Sequence, residues 1–274
     1  MSDCLSQNRL LQNRLLQNQL LQSRSPESRL RSAGRSRSAA ALLRLVVLAM
    51  VPFFVMADEQ DAHNWTNEVE LGFVGTSGNT DTENLKFRAD SLANLEQWKH
   101  SVHFDSLRAT TDGEVTAQKV YAFYQGDYKL GEDRSMFGRV AYDNDRLSGF
   151  NYQADVSLGY SQRIFTTATS YLTGDAGVGM RVSEFDSGDK DEEPIVRLAA
   201  LYLWDVSDNA VFRQKLSTEI GSDSTVSRSD SSIKATIIGS LSMKLALVVK
   251  HNSVVPVERK KTDTETSITL VYGF

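Results

Sequence analysis

Two stretches of the sequence carry side chains of types that can do chemistry. In the first, His251 is followed by Asn252 and Ser253, and a serine activated by a histidine base is the pair that ester hydrolysis uses. On one strand, however, Ser253 shares a face with His251 but lies two residues further along, and such a site also needs a third group that orients the base. We therefore interpret His251 as a histidine at the rim of the fold, with a lipase- or esterase-type hydrolase as the alternative.

The second stretch is acidic. Residues 184–193 contain six carboxylates against the single cation Lys190, and clustered carboxylates can coordinate Ca²⁺. Their spacing does not match the twelve-residue loop of an EF-hand, and the glycine of that loop is not in place. We predict a solvated acidic loop, with ion or ligand binding by it as the alternative. The sequence thus predicts no catalytic residue, no cofactor and no metal.

Charge, cysteine content and apolar runs exclude several classes of protein. The chain of 274 residues has a net charge of −5, whereas a nucleic-acid-binding protein normally carries a basic surplus. The one cysteine, Cys4, excludes a disulfide framework and a cysteine-based zinc cluster. Apolar runs are too short for a transmembrane helix, and the glycine-rich motifs that bind nucleotides are missing.

The sign of the charge changes at residue 57. Residues 1–57 hold eight arginines and two acidic residues, whereas the remainder holds 22 basic and 33 acidic residues. A basic region, the apolar run 45–55 and a Val-x-Ala ending predict a signal peptide that is cleaved after Ala57. Leucine pairs repeat every five residues upstream, a period that fits no coiled coil, and we interpret residues 1–40 as an overlong leader. A short periplasmic segment, 58–64, then precedes a folded domain, 65–274.

From Trp65 onward, apolar and polar residues alternate with a period of two. In the first stretch, for example, Val69 and Leu71 alternate with Glu68 and Glu70. Twelve such stretches follow one another, each about ten residues long, which is the pattern of strands with one apolar and one polar face. The sequence therefore predicts an all-β domain of about 12 antiparallel strands.

The connections distinguish a membrane barrel from a soluble β-sandwich. Joins after even strands are mostly short, whereas joins after odd strands are longer and rich in turn-forming residues, at 76–82, 109–116, 145–151, 184–194, 222–230 and 254–264. Tight turns at one end and long loops at the other are typical of an outer-membrane barrel with both termini in the periplasm. Because hydrocarbon tolerates no open sheet edge, we predict a closed, up-and-down transmembrane β-barrel.

Aromatic residues support this interpretation. Seven of them fall on the apolar face at the short-turn end: Trp65, Trp98, Tyr128, Tyr160, Trp204, Phe212 and Phe274. Aromatic rings are favoured at the depth of lipid headgroups, so we predict that these residues form an aromatic girdle in contact with the bilayer.

The opposite face of each strand is predicted to line the lumen. It carries ten acidic and eleven basic residues, among them Glu68, Glu70, Lys86, Arg88, Asp90, Lys99, Asp105, Arg139, Asp143, Arg213, Lys215 and Glu219. The near balance predicts no ion selectivity, which would need rings of one sign. A narrow pore and a lumen filled by side chains both remain open, because twelve strands lie between filled and channel-forming barrels. Bulky inward residues such as Tyr121, Phe123 and Phe137 favour the filled lumen.

Four segments carry a resemblance to a known family. They are Ser77-Gly78-Asn79-Thr80 after the first strand, residues 250–256, residues 261–264 and the ending 270–274. These segments are similar to those of the YdiY-like family of salt-induced outer-membrane proteins, a domain of unknown function. This resemblance implies an outer-membrane location and a link to salt stress, and it supplies no activity and no catalytic residues. The terminal Phe274 with Tyr272 also resembles the signal by which Gram-negative bacteria recognise barrels for insertion.

Together these observations predict a monomeric, non-enzymatic protein in the outer membrane of a Gram-negative bacterium. Its partners are expected to be the lipid bilayer and, through Phe274, the barrel-assembly machinery, with no nucleic acid. It is expected to act under salt or osmotic stress, as a narrow pore or as a structural element of the envelope.

Overall fold

The computed structural model describes residues 65–76, 82–145, 149–256 and 259–274. The predicted leader, the segment 58–64 and the motif Ser77–Thr80 lie outside the described residues. In the part of the chain that is described, no helix is long and apolar enough to cross a membrane.

The described residues form twelve antiparallel strands. The strands are β1 (Trp65–Thr76), β2 (Thr82–Asn94), β3 (Trp98–Thr111), β4 (Glu114–Lys129), β5 (Arg134–Asp145), β6 (Phe150–Thr166), β7 (Ser170–Phe185), β8 (Lys190–Ser207), β9 (Ala210–Gly221), β10 (Thr225–Ile238), β11 (Leu241–Asn252) and β12 (Thr262–Gly273). Each strand pairs with its neighbours in the sequence, and β1 pairs with β12 to close a barrel. The predicted fold class is thereby confirmed.

The loops after odd strands are shorter than the sequence predicts. Strands β3 and β4 are joined by Asp112 and Gly113 alone, whose φ angles of 50° and 81° are those of a tight two-residue hairpin. Most of the predicted loops 109–116, 184–194 and 222–230 belongs to strands instead. These segments are mostly polar, so the regular apolar alternation stops while backbone pairing continues.

The exposure of side chains is the reverse of that in a water-soluble domain. Most large outward residues are apolar and exposed, as with Phe73 at 68% and Leu158 at 65%, whereas Glu70, Arg181 and Glu193 are at most 2% exposed. Charged groups are almost never fully buried unless they are paired. The barrel therefore carries its polar core inside and presents an apolar wall outside.

Glycines on the inner wall make room for the inward ring of Phe137 near the short-turn end. Phe137 is 3% exposed and lies against β6 and β7. A Cβ added to Gly159 would lie 2.7 Å from Phe137 Cε1, and one added to Gly177 would lie 3.0 Å from Phe137 Cζ. The ring therefore packs on bare backbone, which leaves the central lumen to the polar side chains.

The seam that closes the barrel has the fewest paired residues. Strands β1 and β12 share four residue pairs, from Glu68 opposite Gly273 to Leu71 opposite Leu270. Two backbone hydrogen bonds of 3.0 Å between Asn67 and Phe274 extend this pairing. The side chains that bridge the seam from inside the lumen therefore carry a large share of the closure.

Candidate functional site: a network of ion pairs across the lumen

The charged residues predicted on the polar faces lie inside the barrel or line its cavities. Five of the twelve are buried, namely Glu70, Lys86, Arg88, Asp105 and Arg139. The other seven are partly exposed: Glu68, Asp90, Lys99, Asp143, Arg213, Lys215 and Glu219. The twelve are not one site, because they spread along the whole height of the lumen.

Some of the ion pairs join opposite walls. Lys250 Nζ lies 2.9 Å from Asp143 Oδ2, and this contact links β11 to β5, six strands away around the ring. Arg228 Nη2 on β10 binds the same carboxylate oxygen at 2.7 Å. Since no path around the wall is shorter than six strands between β5 and β11, the Lys250–Asp143 pair crosses the centre of the lumen.

The aromatic ring of Tyr121 makes a further contact between opposite walls. The guanidinium carbon of Arg228 lies 3.8 Å from the ring centre of Tyr121, a cation–π contact between β10 and β4. Arg139 Nη2 donates a hydrogen bond of 2.8 Å to the Tyr121 hydroxyl. We call Tyr121, Arg139, Asp143, Arg228 and Lys250 the central plug.

Three cavities inside the described part of the barrel meet at the central plug. They measure about 280, 30 and 40 Å³, and both Tyr121 and Arg228 line all three. The largest lies at the short-turn end, and we call it the vestibule. The two small ones lie between the plug and the long-loop end. Side chains from opposite walls therefore meet at mid-height of the lumen and hold one another in place.

Two further clusters brace the lumen on the long-loop side. Lys86 binds Asp105 and, at 2.5 Å, Glu265. The carboxylate of Glu219 accepts a 2.7 Å hydrogen bond from Arg197 Nη1. Two more guanidiniums stand near Glu219, that of Arg181 at 3.7 Å and that of Arg139 at 3.8 Å. In both clusters each buried cation lies close to a carboxylate, so the opposite charges compensate each other in the interior of the barrel.

Several members of the network were missed by the sequence interpretation. Arg228 and Asp230 fall in the predicted loop 222–230, although they alternate with Ser227 and Ser229 in register with Ile233. Lys244 alternates with Met243 and Leu245 in the same way. The outward serines concealed this strand. Counting alternate residues backward from the outward Ile233 is the signal that places Arg228 and Asp230 inside.

The histidine considered for hydrolysis lies apart from its serine. His251 Nδ1 shares a hydrogen bond of 2.8 Å with Thr262 Oγ1. Ser253 Oγ instead accepts a 2.8 Å hydrogen bond from the backbone N–H of Thr225. The two side chains are therefore held by different partners and do not form a nucleophile–base pair.

The acidic segment is divided between two environments. Glu184 pairs with Lys190 at 2.9 Å on the rim, whereas Glu193 points into the lumen and binds Arg181 Nη2 at 2.6 Å. Among the described ranges, no three histidine, cysteine or acidic side chains come together as a metal site.

The predicted girdle residues are partly grouped in pairs at the short-turn end. Trp98 and Tyr128 are opposite each other on β3 and β4, with ring centres 5.1 Å apart. Trp204 is opposite Phe212 on β8 and β9. Exposure is 40% or more for Trp98, Tyr128, Tyr160, Trp204 and Phe274, and intermediate for Trp65 and Phe212.

Comparison with known protein families assigns the chain to a family. The profile of DUF481, described as a protein of unknown function, matches residues 69–274, which includes nearly all of the barrel. The chain belongs to the DUF481 family. A relative, the uncharacterized protein YdiY of Escherichia coli K12, is 24% identical over 227 residues, which are 81% of this chain and 88% of YdiY. The predicted YdiY-like family is thereby confirmed.

Three solved structures have a similar course of the chain and low sequence identity to it. The NanC porin is 10% identical with a TM-score of 0.46, over 75% of this chain and 98% of its own. The translocator domain of the autotransporter NalP from Neisseria meningitidis is 12% identical with a TM-score of 0.45, over 86% and 96%. An outer-membrane channel from Pseudomonas putida F1 is 11% identical with a TM-score of 0.44, over 77% and 95%.

Proposed function

We propose that this DUF481 protein is a non-enzymatic barrel of the Gram-negative outer membrane whose lumen the central plug holds closed. The observation that carries the proposal is that Tyr121 and Arg228, from opposite walls, line all three cavities. The protein then acts as a structural element of the envelope rather than as an open pore. Reconstituted in a planar bilayer, it should show no conductance steps, and discrete steps from the unaltered protein would make it a channel.

The outer wall supports the membrane placement. Strands of at least twelve residues are long enough to cross the hydrocarbon core, and their outward side chains are apolar. The aromatic pairs at the short-turn end suit the headgroup region. The first strand begins and the last strand ends at that same end, so we assign it to the periplasm. The barrel is taken to be monomeric, with Phe274, 67% exposed beside the seam, presented to the assembly machinery.

The membrane placement predicts a shallow position for the tryptophans. Trp65, Trp98 and Trp204 are all the tryptophans of the sequence, and all three lie at the short-turn end. In vesicles with brominated lipids, we expect quenching of their fluorescence to be strongest for bromine near the headgroup and weakest for bromine near the chain ends. Quenching that does not depend on bromine depth would contradict the placement.

A single-tryptophan variant provides the matched control for this measurement. With the three tryptophans replaced by phenylalanine and Val156→Trp added, the indole stands on the apolar wall midway along β6, where Val156 is 54% exposed. Its quenching should then be strongest for bromine deep in the bilayer.

We also propose that the protein acts under salt or osmotic stress. The support is the family resemblance together with a lumen that is rich in charge yet close to neutral. A strain that lacks the gene should grow more slowly than its parent in high salt, and a plasmid copy of the full chain should restore growth. Equal growth of the two strains at every salt concentration would remove the stress role and leave the closed barrel unaffected.

A further inference from the structure

The vestibule is the one large space that the closed-barrel proposal leaves unused among the cavities described above. It measures about 280 Å³ and lies between the central plug and the short-turn end. Both Arg213 and Lys215 line it from β9. They occupy positions i and i+2 of the strand, so they face the same way about 7 Å apart.

These two cations are less well neutralised than the others in the lumen. Arg88, Arg139, Arg181, Arg197 and Arg228 each have a carboxylate oxygen at 2.6 or 2.7 Å. Lys215 Nζ lies 4.0 Å from Asp90 Oδ1, an oxygen that already shares a 2.8 Å hydrogen bond with His103. Among the residues that the structure describes, no ion pair within 4.0 Å involves Arg213.

An apolar strip runs beside the two cations. Leu203 is opposite Arg213 and Leu201 is opposite Lys215 on the neighbouring strand β8. Tyr171, opposite Leu203 on β7, continues the strip and is 36% exposed. Cross-strand neighbours have Cβ atoms about 5 Å apart, so one small ligand can contact the apolar strip and the two cations at once.

One acidic side chain limits what the vestibule can accept. Asp175 lines the same cavity and accepts a 2.6 Å hydrogen bond from Ser161 Oγ. No cation lies within 4.0 Å of it among the described residues. A second negative charge on a ligand would therefore meet an uncompensated carboxylate.

We propose that the vestibule binds a small organic monoanion, a carboxylate with an apolar body. The guanidinium of Arg213 takes the carboxylate in the paired hydrogen bonds that this group favours, and Lys215 adds a second positive charge. Leu201, Leu203 and Tyr171 cover the apolar body. Entry from the periplasm rests on the orientation proposed above, whereas the binding itself does not.

Calorimetry with benzoate tests the proposal. Benzoate titrated into the full refolded chain in detergent should bind saturably, whereas benzamide, which has nearly the same shape and no charge, should bind at least tenfold more weakly. Phthalate, with a second carboxylate, should also bind more weakly than benzoate. Arg213→Gln/Lys215→Gln should weaken benzoate binding at least tenfold. Lys190→Gln, which removes a cation from the opposite rim, should leave it within twofold.

Several results would overturn the inference. They are no saturable benzoate binding, equal binding of benzamide, or equal binding by the double variant. Folding of each variant is checked by its heat-dependent gel mobility, and Arg213→Gln alone is the second variant, since it leaves no carboxylate unpaired. A barrel that is silent in bilayers yet does not bind benzoate would refute the ligand site and leave the closed barrel standing. Conductance by the unaltered protein together with benzoate binding would refute the closed barrel and leave the ligand site standing.

Discussion

Replacing Tyr121, Asp143 and Arg228 together by serine is expected to turn a silent barrel into a conducting one. Tyr121 and Arg228 separate the vestibule from both smaller cavities, and Asp143 holds Arg228 in place at 2.7 Å. Removing a cation and an anion together leaves the net charge unchanged, but Lys250 loses its carboxylate partner Asp143. Lys250 keeps Gln153 as a partner at 3.1 Å. Planar-bilayer recordings should show discrete steps with little preference for either sign of ion.

A pair of the same composition outside the lumen serves as the control. Asp133 and Arg163 lie 3.7 Å apart at the short-turn rim, with side chains 59% and 45% exposed. The variant Asp133→Ser/Arg163→Ser should therefore remain silent. If the triple variant folds as a barrel and stays silent, the central plug is not what closes the lumen, and the cluster around Lys86 would be the next to remove.

Loss of Lys244 should be the most destabilising change at the seam. Lys244 Nζ reaches from β11 over β12 to Glu70 Oε1 on β1 at 2.6 Å, and the two side chains are 4% and 2% exposed. In Lys244→Met, the 3.1 Å hydrogen bond from Thr269 is the close polar contact that the Glu70 side chain keeps among the described residues. Breaking a buried pair from one side costs about 3–5 kcal/mol, here at the junction with the fewest paired residues.

The companion variant separates an unpaired charge from lost packing. In Lys244→Met/Glu70→Leu the buried charge is gone, and replacing a whole buried pair by apolar groups is often neutral, so most of the stability should return. Urea unfolding of the barrel in vesicles, followed by tryptophan fluorescence, measures both. The rim pair supplies the comparison: Lys190 is 55% exposed, and because exposed ion pairs contribute little to stability, Lys190→Met should destabilise the barrel far less than Lys244→Met. A cost for Lys244→Met no greater than that for Lys190→Met would show that the seam does not depend on the pair.

The strands and their faces could be predicted from the sequence because both are local consequences of the pleat. Successive side chains point to opposite sides of a strand, so the alternation around Val69 and Leu71 was enough to assign β1 and the direction of Glu68 and Glu70. The same parity count predicted twelve strands and grouped Trp98 with Tyr128 at one end. Closure followed from the cost of an open edge in hydrocarbon.

The partners across the lumen were decided only by the tertiary structure. Nothing local to Lys250 or Asp143 indicates that they meet, because that contact depends on the number of strands and on their stagger around the ring. The strand containing Arg228 was hidden for a related reason: backbone pairing continues beyond the apolar wall, where no alternation marks it. Whether the barrel is filled or open therefore depends on side chains brought together from six strands apart. The periodicity within one strand does not predict these contacts.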